Sequence, residues 1–204
     1  MTRIANSKGR AYGSPLRAQQ AEETRERILD ATVRVMATGL ASLSIPAVAR
    51  EAGVSVPTIY RHFGTKADLL VAVYPHLARR AGLAGLAVPN SVDEFREMVR
   101  TMFGGLDSLG DVARAAFASP ASDEARRLNM PSRIAMSRRL IETVAPNAGE
   151  ADRERIARLM VVLASSSAMR MWRDHLGSSV DEAADDVDWT LRAAIAAATG
   201  RKGQ

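Results

Sequence analysis

The 204-residue chain contains no cysteine. That excludes a disulfide framework, a thiolate nucleophile and a cysteine-based zinc site. Long apolar runs are also missing. Leu159 to Met169 spans 11 residues without a charge, whereas a membrane-spanning helix needs ~18–20. No apolar signal-peptide core follows Met1, so the expected compartment is the cytoplasm, with no membrane partner. Lysine is scarce, at 3 residues against 25 arginines. Arginine suits phosphate recognition better than lysine, although a GC-rich coding composition would raise arginine and alanine together. The 36 alanines inflate the apolar fraction, and 59 larger apolar side chains remain to build a core. The three histidines, His62, His76 and His175, fall on separate elements. There is no HExxH, no paired-carboxylate metal motif and no phosphate-cradling glycine loop. The sequence therefore offers no catalytic residue, no metal site and no cofactor, and the chain does not read as an enzyme.

What charge excess there is sits in one place. Lys and Arg number 28, Asp and Glu 23, for a net charge of +5. Residues 1–20 carry Arg3, Lys8, Arg10 and Arg17 and no acid, with few large apolar groups to order them. Residues 21–74 hold six bases and six acids, and residues 75–204 hold 18 and 17. The excess is almost wholly a flexible basic arm.

The remainder reads as helix after helix, because apolar positions recur at helical spacing and no segment alternates with period two. A first helix is expected from about Glu22 to Ala37, stopped by Gly39. Others start at Ser44, Ser55 and Thr65, the fourth running towards Gly82. Gly82 to Asn90 reads as a linker. Ser91 with Glu94 opens a helix to about Ser108, and a short one covers Asp111 to Ala118. Ser122 is expected to cap the next helix, with a break or kink at Pro131 and a resumption from Ser132 to Ala145. A long helix is expected from about Glu150 to His175. Ser179 with Glu182 opens the last, which ends near Gly200. The fold class is all-α, with about nine or ten helices.

Residues 44–63 read SIPAVAREAGVSVPTIYRHF. Two short helices flank a turn at Gly53, with Ile45, Val48, Ala49, Val54, Ile59 and Phe63 facing inward. Pro46 and Pro57 each lie two residues after a serine, in a first turn where backbone N–H groups have no intrahelical partner. Ser55, Val56, Pro57, Thr58, Tyr60, Arg61 and His62 then crowd the outer face of the second helix. This is the arrangement of a helix-turn-helix, whose second helix enters the major groove.

Residues 22–74 resemble the DNA-binding domain of the TetR family of bacterial transcriptional regulators. The resemblance rests on Ser44, Val48-Ala49, Ala52-Gly53-Val54-Ser55, Thr58-Ile59-Tyr60-Arg61-His62-Phe63, and Lys66 with Leu69-Leu70. It implies phosphate contacts from Ser44, Tyr60, His62 and Lys66, and base reading by Val56, Pro57 and Thr58. Two of these are apolar and suit thymine methyls rather than bidentate bonds. Arg61 fits either guanine or phosphate. Leu43 stands where the family often has a threonine and brings no hydroxyl. The arm could enter the minor groove or add only nonspecific attraction.

The C-terminal part holds seven of the nine methionines, between Met98 and Met171. Methionine fills cores and also lines adaptable cavities. Met98, Met102, Phe103, Leu106, Phe117, Met130, Ile134 and Met160 are the candidate lining of an effector pocket, which the Pro131 break would open. Leu163, Met171, Val187, Leu191, Ala194 and Ile195 on the last two helices are the candidate dimer interface. The resulting expectation is a basic arm (1–20), a helix-turn-helix domain (21–74) and an effector-binding and dimerisation domain (75–204). Function is expected to be ligand-responsive regulation by a homodimer on double-stranded DNA, as a repressor released from a palindromic operator by a small apolar or amphipathic molecule. An activator or a ligandless DNA-binding protein of the same fold remains open.

Overall fold

The computed structural model describes residues 13–39 and 42–200, and every regular element in them is helical. The order is α1 (Gly13–Ala37), α2 (Ile45–Ala52), α3 (Val56–Phe63), α4 (Lys66–Arg80), α5 (Val92–Ser108), α6 (Gly110–Ala118) and α7 (Pro120–Val144). It continues with α8 (Glu150–Leu163), α9 (Ser166–Arg170), a π-helical turn (Met171–His175) and α10 (Val180–Gly200).

Most starts follow from a local cap. Ser44, Ser55, Thr65, Ser91 and Ser165 each accept a bond from a backbone N–H in the first turn that follows. Thr65 and Asp68 cap reciprocally, as do Ser179 and Glu182. Glu94 returns its bond to the N–H of Asn90 rather than Ser91. Four boundaries differ from the sequence reading. α1 begins at Gly13, with Pro15 in its first turn, so residues 13–20 extend that helix and expose Leu16 and Arg17. Arg3, Lys8 and Arg10 lie outside the described residues. The cap of α7 is Ser119, followed by Pro120 at the first helical position, while Ser122 is buried. Pro131 does not end α7. It and Arg127, whose carbonyl loses the N–H partner, are both exposed, so water can take that bond. The expected long helix from Glu150 is interrupted where Ser165 caps a new start through the Ala168 N–H at 3.1 Å.

Two apolar cores form. The first joins Ile28, Leu29, Val48, Ile59, Phe63, Leu69 and Leu70 of α1–α4 to Ala113, Ala116 and Phe117 of α6 and Ala121 and Ala125 of α7. The second gathers Phe95, Phe103, Leu140, Ile141, Ile156, Met160, Val187 and Leu191 from α5 and α7–α10. The first core thus crosses residue 74, and α4 runs through that point unbroken.

A polar clamp ties α4 to α1. The buried His76 places Nε2 2.8 Å from Asp30 Oδ1 and Nδ1 2.8 Å from Glu26 Oε2. Arg79 reaches Glu26 at 2.7 Å, and Arg80 pairs with Asp30. Burial pushes the Asp30 carboxyl up, but hydrogen bonds from His76 and Arg80 outweigh it and hold the group below its usual range.

Candidate nucleic-acid interface

The turn between α2 and α3 is built on Gly53, whose φ of 66° and ψ of 36° are left-handed. Its N–H donates to the carbonyls of Ala49 and Arg50, and the Val54 N–H also bonds Ala49. A side chain here would be strained, and glycine is the residue that adopts this conformation freely. Ser55 then caps α3. Its Oγ lies 3.3 Å from the Thr58 N–H and 2.9 Å from Thr58 Oγ1. The recognition helix is anchored by Ile59 and Phe63, which are 1% and 6% exposed.

Of the residues expected to face outward, Ser55, Pro57, Tyr60 and Arg61 are exposed, Thr58 and His62 are half-buried, and Val56, also half-buried, packs against the first core. Ser44 is half-buried at the start of α2, where its Oγ lies 3.4 Å from the Ala47 N–H. Burial first, then the cations Arg61 and Arg25, push the His62 imidazole below its ordinary value, so the free protein carries it neutral at pH 7.

Two features alter the expected surface. Lys66 is not free: its Nζ lies 3.1 Å from Glu124 on α7. The start of α4 already holds an anion of its own, because Asp68 accepts from the Thr65 N–H at 3.1 Å and from its hydroxyl at 2.6 Å. The sequence reading also missed Arg25. This α1 residue lies with its guanidinium 4.3 Å from the Phe63 ring centroid and donates to the His62 carbonyl at 3.2 Å. It holds the end of α3 across 37 residues of sequence, and no local pattern could have signalled it.

A half-open cavity of about 540 Å³ lies between α4, α5, α7 and the α8–α9 junction. Of the candidate pocket residues, Met102, Leu106 and Phe117 line it. Phe103 and Met160 are instead buried in the second core, against which Met98 packs. Met130 and Ile134 are half-buried on α7 and do not line it, because neighbours on other faces of the helix, Asn129, Arg133 and Met136, take the wall. Tyr74, Pro75 and Leu77 from α4 add a wall the sequence reading did not include. Pro131 is exposed and forms no mouth.

The expected interface residues also divide. Val187 and Leu191 are 1% and 3% exposed and belong to the chain's own core, so they cannot form a surface. Leu163, Ala194 and Ile195 are half-buried, and Met171 is exposed. Leu163 and Ala194 lie along the α8–α10 seam. The exposed apolar groups beside them are Leu159, Val162 and Trp189, the last 73% exposed. Among the described residues no three His, Asp or Glu side chains group as a metal site, and no helix is long and apolar enough to cross a membrane.

A capped helix, a left-handed glycine turn and a short helix with a polar outer face define a helix-turn-helix head on an all-helical body. Residues 28–73 match the family of bacterial regulatory proteins described as the tetR family. It is 44% identical over 57 residues to the HTH-type transcriptional regulator SrpR of Pseudomonas putida, covering 28% of this chain and 27% of that one. It is 40% identical over 57 residues to the HTH-type transcriptional regulator AcrR of Shigella flexneri, covering 28% and 26%. The matched region thus spans about a quarter of the length of these curated relatives, which are regulators rather than enzymes. A TetR-like transcriptional regulator from Rhodococcus sp. RHA1 shares the fold, with a TM-score of 0.52 at 23% identity over 89% of this chain and 97% of that one.

Proposed function

We propose that the protein is a ligand-responsive transcriptional regulator, acting as a repressor on double-stranded DNA in the cytoplasm. The observation that carries the reading is the position of α4. Its first turn follows the recognition helix, and its second half lines the body's cavity through Tyr74, Pro75 and Leu77. A molecule filling that cavity presses on the helix that positions α3. Two further links couple head and body: the Lys66–Glu124 pair, and a 3.1 Å bond between the Tyr74 and Ser122 hydroxyls. Ligand shifts the protein off DNA only if it binds the non-DNA-binding arrangement better.

DNA contact falls to Tyr60, Arg61, His62 and Ser44 on phosphate or base edges, and to Val56, Pro57 and Thr58 in the major groove. Lys66 joins them once it leaves Glu124. One head binds weakly, and a two-fold pair reads two half-sites. The exposed Leu159, Val162, Met171 and Trp189 supply an apolar face for a second copy. The bases Arg3, Lys8, Arg10 and Arg17 of residues 1–20 add attraction to phosphates.

Footprinting on the DNA flanking the protein's own gene tests the reading. A protected palindrome of two half-sites, lost in Arg61→Ala and released by the cognate effector, is the expected result. Sequence-independent coating of DNA would overturn it.

A further inference from the structure

The α4–α7 cavity is apolar over most of its wall, with Leu83, Met102, Leu106 and Met136 among its lining residues. Two arginines two helical turns apart on α7, Arg126 and Arg133, break that pattern. They differ in how their charge is met. Arg126 pairs with Asp123 at 2.5 Å and donates to the Phe117 carbonyl at 2.6 Å, while its buried Nε has no hydrogen-bond partner. Arg133 faces no carboxylate among the described residues. Its Nη2 donates to the Val161 and Ala164 carbonyls at 3.2 and 2.9 Å, and no described acceptor takes its Nε or Nη1. Burial lowers its affinity for the proton, Tyr74 opposes this, and Arg126 adds a smaller repulsion. A guanidinium stays charged even so. A charge held this way, without a counter-ion, is costly to keep in an apolar wall. Among the described residues no acid lines the cavity to receive a cationic ligand.

We propose that this cavity binds a hydrophobic anion, a carboxylate on an aliphatic or aromatic body, with the carboxylate on the free edge of Arg133. The body lies against Leu83, Met102, Leu106 and Met136, and the volume of about 540 Å³ suits a small ligand of this kind. A planar guanidinium meets a carboxylate through paired N–H bonds, which gives both affinity and orientation. The competing role for Arg133 is purely structural, as a cap on the carbonyls that end α8. The proposal deepens the effector reading above and rests on it for its regulatory meaning only.

Titration calorimetry on the full chain without DNA tests it, using decanoate, 1-decanol and decyltrimethylammonium below their aggregation limits. Decanoate should bind at least tenfold more tightly than either of the others. Arg133→Gln keeps donors for the α8 carbonyls but drops the charge. It should weaken decanoate about tenfold and leave decanol unchanged, while Arg133→Lys retains most of the affinity. Met102→Trp fills the cavity with Arg133 intact and should abolish decanoate binding. Equal binding of the three probes, preference for the ammonium, no binding at all, equal weakening of decanoate and decanol in Arg133→Gln, or decanoate binding that survives Met102→Trp would each overturn the proposal. Decanoate binding that fails to release operator DNA would leave this site standing and break the effector mechanism instead.

Discussion

The head of α1–α4 and the body of α5–α10 bury their apolar residues in opposite ways. In the head, Ile28, Leu29, Val48, Ile59, Leu69 and Leu70 are all sealed, and the outer face of α3 is the working surface. The body seals Phe95, Val99 and Phe103 but exposes Val162 and Trp189, and it meets α4 across a cavity of about 540 Å³. A reading surface needs a rigid base, and the residues under α3 are sealed. A chamber and a face for a second copy need volume and apolar area left unused.

Substitutions can break that contrast or sharpen it. Leu70→Ala in the filled core should cost about 2–5 kcal/mol in chemical denaturation. Met136→Ala on the cavity wall should cost about 1 kcal/mol or less, because the void already exists there. Equal costs would erase the contrast. Glycines should diverge in sign. Gly53→Ala forces a side chain into a left-handed turn and should lose about 1–2 kcal/mol. Gly104→Ala, where a Cβ meets nothing within 4 Å, should gain about 0.5–1 kcal/mol. Its neighbour Gly105 has no such freedom, since a Cβ there would lie 2.8 Å from the Ala81 carbonyl.

Ser55→Ala removes the α3 cap and should cost about 1 kcal/mol, with a matching loss of DNA affinity by gel shift. Trp189→Ser should leave the denaturation midpoint nearly unchanged, within about 0.5 kcal/mol, yet shift light scattering from dimer to monomer. A dimer that persists would move the interface away from α10. The smallest effect concerns pH. The Asp30 carboxyl is depressed in the folded chain, so its stabilisation is present above the unfolded value of about 3.9. It is lost as pH falls through the lower folded value. Asp30→Asn should flatten stability below about pH 4, read by thermal melts; an unchanged acid limb would remove the clamp from the account.

What was legible in the sequence was local. Ser44, Ser55 and Thr65 cap within three residues of themselves, and Gly53 sets its own turn, so spacing alone placed the recognition helix and its outer residues. Ser119 and Ser122 both sit near Pro120 and both are buried, and only the packing of α7 on α4 separates them: Ser119 accepts the Ser122 N–H, while the Ser122 hydroxyl meets Tyr74. Val187 and Leu191 share a stripe with Ala194 and Ile195, but a stripe does not say whether its partner is in the same chain. Arg126 and Arg133 looked like members of an arginine-rich background, and neither carried a signal of its own.

The sequence by itself determined the all-helical class, the helix-turn-helix and the face of α3 that looks outward, because caps, turns and periodicity are short-range. The tertiary structure alone decided that α6 packs into the head's core, that Lys66 is held by Glu124, that Arg25 braces Phe63 and that Arg133 stands in an apolar wall with no carboxylate beside it among the described residues. Each of these joins residues tens of positions apart, and their meeting depends on how helices stack, which no spacing along the chain encodes.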